Sequence, residues 1–223
     1  MKVGILLPAY NEEKNIRLVI RDTKKFLPNA KIVVVDDGSV DRTYELAKRE
    51  KVTVLRHEKN MGKGEALKTG LGFFHKLNVD FTIVADADRQ YSIKDAVKIL
   101  NALENADLVT GCRTPSDVPY ANRMGNFVWR LFFNFLFGTK LKDSNCGYLG
   151  FNKKAIKEVK NIHGGYIIEN AILADSVKKG LRIAQVPVKV KYRKRRVAKF
   201  AKMFFGVLFF ILKEGFKHRL KIF

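Results

Sequence analysis

Two aspartates separated by one alanine are the residues best suited to chemistry in this sequence. Asp86 and Asp88 follow an apolar, strand-like segment, Phe81 to Ala85. In extended backbone, residues i and i+2 point to the same side, so both carboxylates can reach one hard cation. Mg²⁺ and Mn²⁺ prefer oxygen ligands and usually complete their coordination with substrate phosphates. The spacing favours a metal-dependent site, and a pair of helix-capping aspartates before Ser92 is the alternative.

Two further polar clusters follow strand-like runs. The first run leads into Pro8-Ala-Tyr-Asn-Glu12 and the second into Asp36-Asp-Gly-Ser39. In an open parallel sheet, ligands bind beyond the carboxyl ends of the strands. Acidic and amide side chains are therefore expected to converge on one edge, namely Glu12, Asp37, Asp86, Asp88 and Gln90. Gly62-Lys-Gly64 opens a helix and can offer backbone N–H groups to an anion, or it is a plain turn.

Apolar segments and amphipathic segments alternate through the first half of the chain. The predicted strands are Val3–Leu7, Lys31–Asp36, Val52–Leu55, Phe81–Ala85 and Leu108–Gly111. The predicted helices are Glu12–Phe26, Asp41–Lys51, Gly64–Leu77 and Ser92–Leu103, with Asp41 as a helix cap. The second half adds strands at Tyr148–Phe151 and Ile183–Val190, and helices at Asn126–Phe137, Ile167–Lys179 and Lys199–Leu220. The alternation predicts an α/β fold with a mainly parallel sheet flanked by helices.

The charge of the chain is strongly positive and unevenly spread. The 223 residues carry a formal charge of +21, and Lys191 to Phe223 holds eleven lysines and arginines against one acid. Such a tail favours a polyanion as partner, which includes nucleic acid, an anionic membrane surface and phosphorylated substrates; a solvated basic face is the alternative. The two cysteines, Cys112 and Cys146, have no metal-ligand spacing and suit a reducing cytoplasm. We expect no signal peptide, because the N-terminus runs directly into a strand.

The C-terminal segment is also the most apolar part of the sequence. Met203 to Leu212 contains ten uncharged residues, which is about 15 Å of helix. Crossing a bilayer takes roughly 20 apolar residues, so we expect no transmembrane span. The flanking lysines and arginines favour a helix lying in an anionic membrane interface. Asn126 to Phe137, with Trp129 and five phenylalanines, can form a second membrane-facing surface; packing of both segments as a core or dimer interface is the alternative.

Taken together, these motifs resemble one known family. The matching elements, in chain order, are Pro8-Ala-Tyr-Asn-Glu12, Val35-Asp-Asp-Gly-Ser39, Asn60-Met-Gly-Lys-Gly64, Asp86-Ala-Asp88 with Gln90, and Gly111-Cys-Arg113. In these elements the sequence resembles the family 2 glycosyltransferases with the GT-A fold over nearly its whole length. It is most similar to polyprenyl-phosphate hexosyltransferases of the dolichol-phosphate mannose synthase type.

The resemblance implies a set of site residues. The nucleotide-sugar pocket would be formed by Pro8, Tyr10, Glu12, Val35, Asp37, Asp86, Ala87, Asp88 and Lys199. The metal, Mg²⁺ or Mn²⁺, would be bound by Asp88 and Gln90. The catalytic set would be Asp88 with the phosphate-holding residues Arg113, Arg123 and Arg193. Residues 1–198 would form the GT-A domain, with a nucleotide-binding half (1–112) and an acceptor half (113–198), and 199–223 the membrane-interface helix.

The sequence departs from the family pattern in its second half. Where the family often has Asp-x-x-Ser-Gly-Phe, this chain has Asp143-Ser-Asn-Cys-Gly-Tyr148. The segment between Arg113 and Arg123 is short, and the basic run Arg193-Lys-Arg-Arg196 lacks the usual glycine. These departures concern the acceptor and the sugar rather than the donor site.

The resemblance implies an inverting glycosyltransferase at the cytoplasmic face of the cell membrane. The donor would be of the GDP-mannose or UDP-glucose type, with UDP-N-acetylglucosamine also open, and the acceptor would be polyprenyl (dolichyl) phosphate. A glycan, lipid or protein hydroxyl is the alternative acceptor, and it would need a general base, for which Asp143 and Glu169 are candidates. A nucleotidyltransferase would have a Gly-rich donor loop early in the chain. A nucleic-acid-binding protein would interleave aromatic and basic residues on a sheet face, so we expect no nucleic-acid partner.

Overall fold

The computed structural model describes residues 1–162, 164–192 and 200–221. Its strands are β1 (Val3–Ala9), β2 (Lys31–Asp36), β3 (Thr53–Arg56), β4 (Phe81–Val84), β5 (Leu108–Arg113), β6 (Leu149–Asn152) and β7 (Ile183–Val188). Its α-helices are α1 (Ile16–Phe26), α2 (Thr43–Arg49), α3 (Lys63–Lys76), α4 (Ala96–Leu103), α5 (Tyr120–Phe137), α6 (Lys153–Glu158), α7 (Ile168–Lys178) and α8 (Phe200–Arg219).

All seven of these strands belong to one sheet. Their order is β3-β2-β1-β4-β6-β5-β7. Only β6 runs antiparallel to its neighbours, β4 and β5, and the other strand pairs are parallel. The predicted α/β fold with a mainly parallel sheet is therefore confirmed. Because β6 is reversed, the loop that precedes it reaches the same edge of the sheet as the carboxyl ends of the other strands.

The sheet is buried on both faces, which explains why its strands read as continuous apolar runs. Successive residues of β1 alternate between the two cores: Leu6 packs with α3, α5, α7 and α8, whereas Ile5 and Leu7 pack with α1, α2 and α4. Helices therefore cover the sheet from both sides, and they leave the strand ends open for a ligand.

Two helices differ most from the sequence-based prediction. Helix α5 begins at Tyr120, six residues before the predicted start, directly after Pro119 at its N-cap. Helix α6 was not predicted, because six residues are too few to show helical periodicity. Its start is fixed locally, since the side chain of Asn152 accepts a hydrogen bond from the backbone N–H of Ala155 (2.8 Å).

Helices α5 and α8 pack side by side and run parallel. The indole Nε1 of Trp129 donates to the carbonyl of Phe204 (3.1 Å), and further along both helices the ring of Phe137 stacks on His218 (5.2 Å between centroids). Gly215 permits this approach, because a Cβ there would lie 2.6 Å from a Leu136 side-chain atom. The pair therefore buries one face of each helix in the core.

The outer faces of the same two helices are apolar and exposed. We call the exposed residues the aromatic face; they are Tyr120, Met124, Phe127, Leu131, Phe132 and Phe135 of α5, and Phe205, Phe209, Phe216 and Leu220 beside or within α8. The core packing that the sequence left open is thus found on the inner side of the helices, and the outer side is exposed. Within the described residues, no helix has the length and apolarity that a membrane crossing requires.

Candidate active site

A cleft of about 540 Å³ opens at the carboxyl ends of the strands. Residues after β1, β2, β4 and β5 line it, as do the loop before β6 and the start of α7. Its charged lining residues are Glu12, Asp37, Lys63, Asp86, Asp88, Arg113 and Glu169. Five of these seven residues are acids, so the described wall of the cleft carries a formal charge of −3.

Side-chain hydrogen bonds tie the loops after β1 and β2 together. The backbone N–H of Asn11 donates to Ser39 Oγ (2.9 Å), and the side-chain oxygen of Asn11 accepts from the N–H of Val40 (3.0 Å). The N–H of Glu12 donates to Thr43 Oγ1 (2.7 Å). Asp41 accepts from the N–H of Thr43 (2.9 Å), the first residue of α2, although the N-cap position is Arg42 and not Asp41 as predicted. These bonds hold the first two motifs at one corner of the cleft.

Asp37 fixes the loop before α3. Its carboxylate accepts hydrogen bonds from the backbone N–H groups of Met61 (2.9 Å) and Gly62 (2.7 Å), and from His57 Nδ1 (2.7 Å). These two loop N–H groups are therefore bound to a carboxylate, and Gly62 is one of the residues expected to offer an N–H group to an anion. Gly38 is required beside Asp37, because its φ is +69° and a Cβ would lie 2.4 Å from the backbone of Lys59.

Lys63, the first residue of α3, lies among carboxylates on the floor of the cleft. Its Nζ is 2.7 Å from Asp86 Oδ1 and 3.6 Å from Glu169 Oε1. Burial by itself would lower the pKa of Lys63, but the charges of Asp86 and Glu169 outweigh that effect and raise the pKa above its ordinary value. Lys63 is thus an ammonium group that joins the end of β4 to the start of α7.

Asp88 and Gln90 are brought together by a tight turn. The residue between them, Arg89, has a φ of +61°, in the left-handed region. The backbone N–H of Gln90 donates to Asp88 Oδ1 (3.0 Å), and the Gln90 amide also contacts the Asp88 carboxylate. Two oxygen-bearing side chains therefore face the same part of the cleft.

Arg113 lines the opposite wall and is firmly paired. Its Nε and Nη2 donate to Asp143 at 2.6 and 2.8 Å, and its Nη1 donates to Tyr192 Oη at 2.7 Å. Burial would lower the pKa of Arg113, but the hydrogen bonds and charge of Asp143 raise it well above its ordinary value. The side chain of Gln185 in turn holds the Asp143 backbone by accepting from its N–H and donating to its carbonyl (2.7 Å).

Most of the site residues named from the sequence line the cleft. These are Pro8, Tyr10, Glu12, Asp37, Asp86, Ala87, Asp88, Gln90 and Arg113. Val35 does not: its side chain is fully buried in the core, because alternate residues of β2 face opposite layers of helices. Arg123 does not line the cleft either; it is exposed on α5 with its guanidinium over the ring of Tyr120. Arg193 and Lys199 lie outside the described residues.

Residues 4–160 match the model of glycosyl transferase family 2. The chain belongs to this family. It is 36% identical over 208 residues to an uncharacterised protein of Methanocaldococcus jannaschii, covering 86% of this chain and 90% of the relative. It is 28% identical to UDP-N-acetylglucosamine–dolichyl-phosphate N-acetylglucosaminyltransferase of Methanococcus voltae, covering 96% of each chain.

A solved structure shows the same fold. The crystal structure of glucosyl-3-phosphoglycerate synthase of Mycobacterium tuberculosis, in complex with Mn²⁺, UDP and phosphoglyceric acid, superposes with a TM-score of 0.78. The match covers 96% of this chain and 78% of that chain, at 22% sequence identity. The expected GT-A-like fold and glycosyltransferase activity are thereby confirmed.

The sequence of this glycosyltransferase did not predict the contacts of Lys63 or the position of Gly147 in the cleft. Lys63 belongs to the quoted Asn60-Met-Gly-Lys-Gly64 motif, so its position was marked, but its partner Glu169 is far away in sequence. Asn145 lines the cleft with its Oδ1 accepting from the buried Asn170 (3.3 Å). The reversed direction of β6 brings Asn145 and Gly147 to this edge, and no local sequence pattern predicts that direction.

Proposed function

We propose that this glycosyltransferase moves a hexose from a nucleotide sugar to a polyprenyl phosphate, with inversion at the anomeric carbon. The observation that carries the proposal is that one cleft joins two features. Its floor holds Asp86, Asp88 and Gln90 at the strand ends, and its wall includes Trp129 and Met203 of the helices that carry the aromatic face. A water-soluble donor and a lipid acceptor can therefore meet in it.

The charge of the cleft supports a divalent cation. A nucleoside diphosphate is an anion, and the described wall of the cleft is itself net acidic, so binding requires added positive charge. Asp88 and Gln90 fit Mg²⁺ or Mn²⁺ by donor type, since this kind of cation takes one or two protein oxygens and shares substrate phosphates. When bound, the cation would neutralise the charge that develops on the leaving diphosphate.

The remaining donor contacts follow from residues of the nucleotide-binding half, residues 1–112. Tyr10, half-exposed at the rim beside Pro8, can pack on a nucleobase. Asp37 holds the loop before α3 and has one carboxylate lone pair left for the ribose or base. Arg113, with Arg193 and Lys199 beyond the described residues, is proposed to hold the donor and acceptor phosphates.

The pairing of the acids favours a phosphate acceptor over a hydroxyl. A hydroxyl acceptor needs a general base, and Asp143 is buried against Arg113 while Glu169 is close to Lys63. A phosphate monoester is already an anion, so its oxygen can attack C1 while the nucleoside diphosphate leaves from the opposite face. The relative from Methanococcus voltae, whose name includes dolichyl phosphate as acceptor, supports the same class.

We further propose that the enzyme binds the cytoplasmic face of the membrane peripherally, through the aromatic face. Large exposed aromatic side chains on two adjacent helices are unusual for a surface in contact with water alone. Lys202, Lys213, Lys217 and Lys221 of the C-terminal segment would add attraction to anionic lipids. In this arrangement residues 1–198 perform transfer and 199–223 bind the interface.

A product assay tests the transfer. The protein is incubated with Mn²⁺, each of GDP-mannose, UDP-glucose and UDP-N-acetylglucosamine, and a polyprenyl phosphate, and the lipid is identified by mass spectrometry and its anomer by NMR. We expect one glycosylated polyprenyl phosphate of inverted configuration, lost with EDTA and reduced at least a hundredfold in Asp88→Asn. Glu104→Gln, an exposed acid beyond α4, is the matched control. Transfer to a free hydroxyl with none to the phosphate would refute the proposal.

A further inference from the structure

The ammonium group of Lys63 lies between carboxylates of the cleft. Its ammonium lies 2.7 Å from Asp86 and 3.6 Å from Glu169, while Asp88, two residues beyond Asp86, lines the same cleft. Asp86 comes from the end of β4 and Glu169 from the start of α7. One side chain therefore neutralises carboxylates contributed by both halves of the protein.

The charged groups are gathered around one point. A Cβ placed on Gly147 would lie 3.0 Å from Lys63 Nζ, 3.2 Å from Asp86 Oδ2 and 3.2 Å from Glu169 Oε1. The absence of a side chain at Gly147 leaves room for this cluster. Two carboxylates and an ammonium group thus share the floor of the cleft, where the donor diphosphate would be held.

An ammonium group at this position opposes a second cation. A unit positive charge a few ångströms away lowers the affinity for a divalent cation by roughly tenfold or more, even in a water-like dielectric. Consistently, no group of three or more His, Cys, Asp or Glu side chains in the described parts of the chain is arranged to hold a metal ion. The protein groups alone therefore make a weak cation site.

The same ammonium group attracts a diphosphate. We propose that the monovalent ammonium group of Lys63 takes the place of the metal until the donor binds. It weakens metal binding in the absence of the donor, and it strengthens binding of the nucleoside diphosphate. The metal and the nucleotide then bind together, and a cation without nucleotide does not stay bound to the carboxylates. This role rests on the proposed metal-dependent nucleotide site, and it makes Lys63 a residue that sets the order of binding.

Two binding measurements on the wild-type protein and Lys63→Met test the role. Mn²⁺ binding without nucleotide is followed by electron paramagnetic resonance, and binding of UDP and of GDP in EDTA by calorimetry. We expect opposite shifts in Lys63→Met: Mn²⁺ binds about tenfold tighter and the preferred nucleoside diphosphate about tenfold more weakly. A structural role alone would weaken both, and that result, or no change in either, would overturn the proposal.

Two control variants separate charge from packing. Lys63→Arg keeps the positive charge and should retain both wild-type affinities within about threefold. Lys68→Met removes a positive charge from the exposed side of the same helix, where Lys68 pairs with Glu65 at 2.7 Å, and should leave both affinities unchanged. If wild type binds neither UDP nor GDP with Mn²⁺ present, the proposed nucleotide site itself fails. If wild type binds and Lys63→Met matches it, only the role of Lys63 fails.

Discussion

Arg113 and Asp143 meet in a two-point ion pair in the wall of the cleft, with both contacts shorter than 3 Å. Both side chains are almost fully buried, at 9% and 2% exposure. Asp143 therefore serves as the counter-ion that makes a buried guanidinium tolerable, and it is not available as a base. Planar pairing of this kind fixes the position of Arg113 as well as its charge.

Removing the charge of Asp143 should be costly for stability. Asp143→Asn leaves the Arg113 guanidinium buried without its counter-charge, so we expect the free energy of unfolding to fall by about 3–5 kcal/mol. Urea unfolding followed by circular dichroism measures it. Lys68→Ala breaks an exposed pair and should cost less than about 1 kcal/mol. Equal effects of the two substitutions would show that burial of the pair does not matter.

Asp107 should make stability fall in acid. Its burial would raise its pKa, but hydrogen bonds from Arg182 and Asn152 and the charge of Lys154 lower the pKa to about 2, below the ordinary value of 3.8. Because the folded-state pKa is depressed, the stabilisation is complete above about pH 5 and is lost as the pH falls toward 2. We expect the contribution of Asp107 to the free energy of unfolding to decrease by roughly 2 kcal/mol over this pH range, since one pKa unit corresponds to about 1.4 kcal/mol.

The variant Asp107→Asn isolates that contribution. Its unfolding free energy should be lower than that of the wild type at pH 7, and the difference should shrink as the pH approaches 2. Chemical unfolding at several pH values, at constant ionic strength, measures both curves. A difference that stays constant between pH 7 and pH 2 would contradict the assignment to ionisation of Asp107.

Gly147→Ala should impair transfer more than folding. The new methyl group would press on the ends of three flexible side chains, which can move, so we expect an unfolding cost of about 1 kcal/mol. Moving Lys63, Asp86 and Glu169 should lower kcat at least tenfold. Gly72→Ala on α3, where nothing lies within 4 Å of the new atom, should instead add about 0.5–1 kcal/mol of stability with unchanged kcat. Unchanged kcat in Gly147→Ala would refute the importance of the cluster geometry.

Substitutions in the aromatic face should weaken membrane binding. Phe135 and Phe209 are 70% and 69% exposed, and burying a phenylalanine side chain contributes about 1.5–3 kcal/mol. Phe135→Ser and Phe209→Ser should each reduce co-sedimentation with phosphatidylcholine vesicles containing phosphatidylglycerol by about tenfold or more. Leu18→Ser, a partly exposed apolar residue on α1, is the control and should bind normally. Binding that persists in the double phenylalanine variant would place the membrane contact elsewhere.

Most residues that line the cleft at the ends of the parallel strands could be named from the sequence, because that information is local. Asp37 and Asp86 follow β2 and β4 within two residues, and parallel strands bring their carboxyl ends to one edge. Val35 departed from the family-based expectation for a reason visible in its own strand, where an unbroken apolar run indicates burial on both faces.

The rest of the cleft was harder to predict, because it depends on contacts between distant segments. The Lys63–Glu169 and Arg113–Asp143 pairs each join segments that are distant in sequence. The pattern of α5 and α8 indicated amphipathic helices, but apolar residues on more than one side of each helix did not reveal which would be covered. That assignment required the parallel packing of Trp129 against Phe204.

Trp129 and Met203 belong at once to the cleft wall and to the helices of the aromatic face. An enzyme bound through that face would meet its acceptor by diffusion within a plane. The quantity that sets its rate would be the number of acceptor molecules per unit area of bilayer. Diluting the acceptor with inert lipid would slow such an enzyme even when the bulk concentration is constant, whereas diluting the vesicles in buffer would change little once the protein is bound.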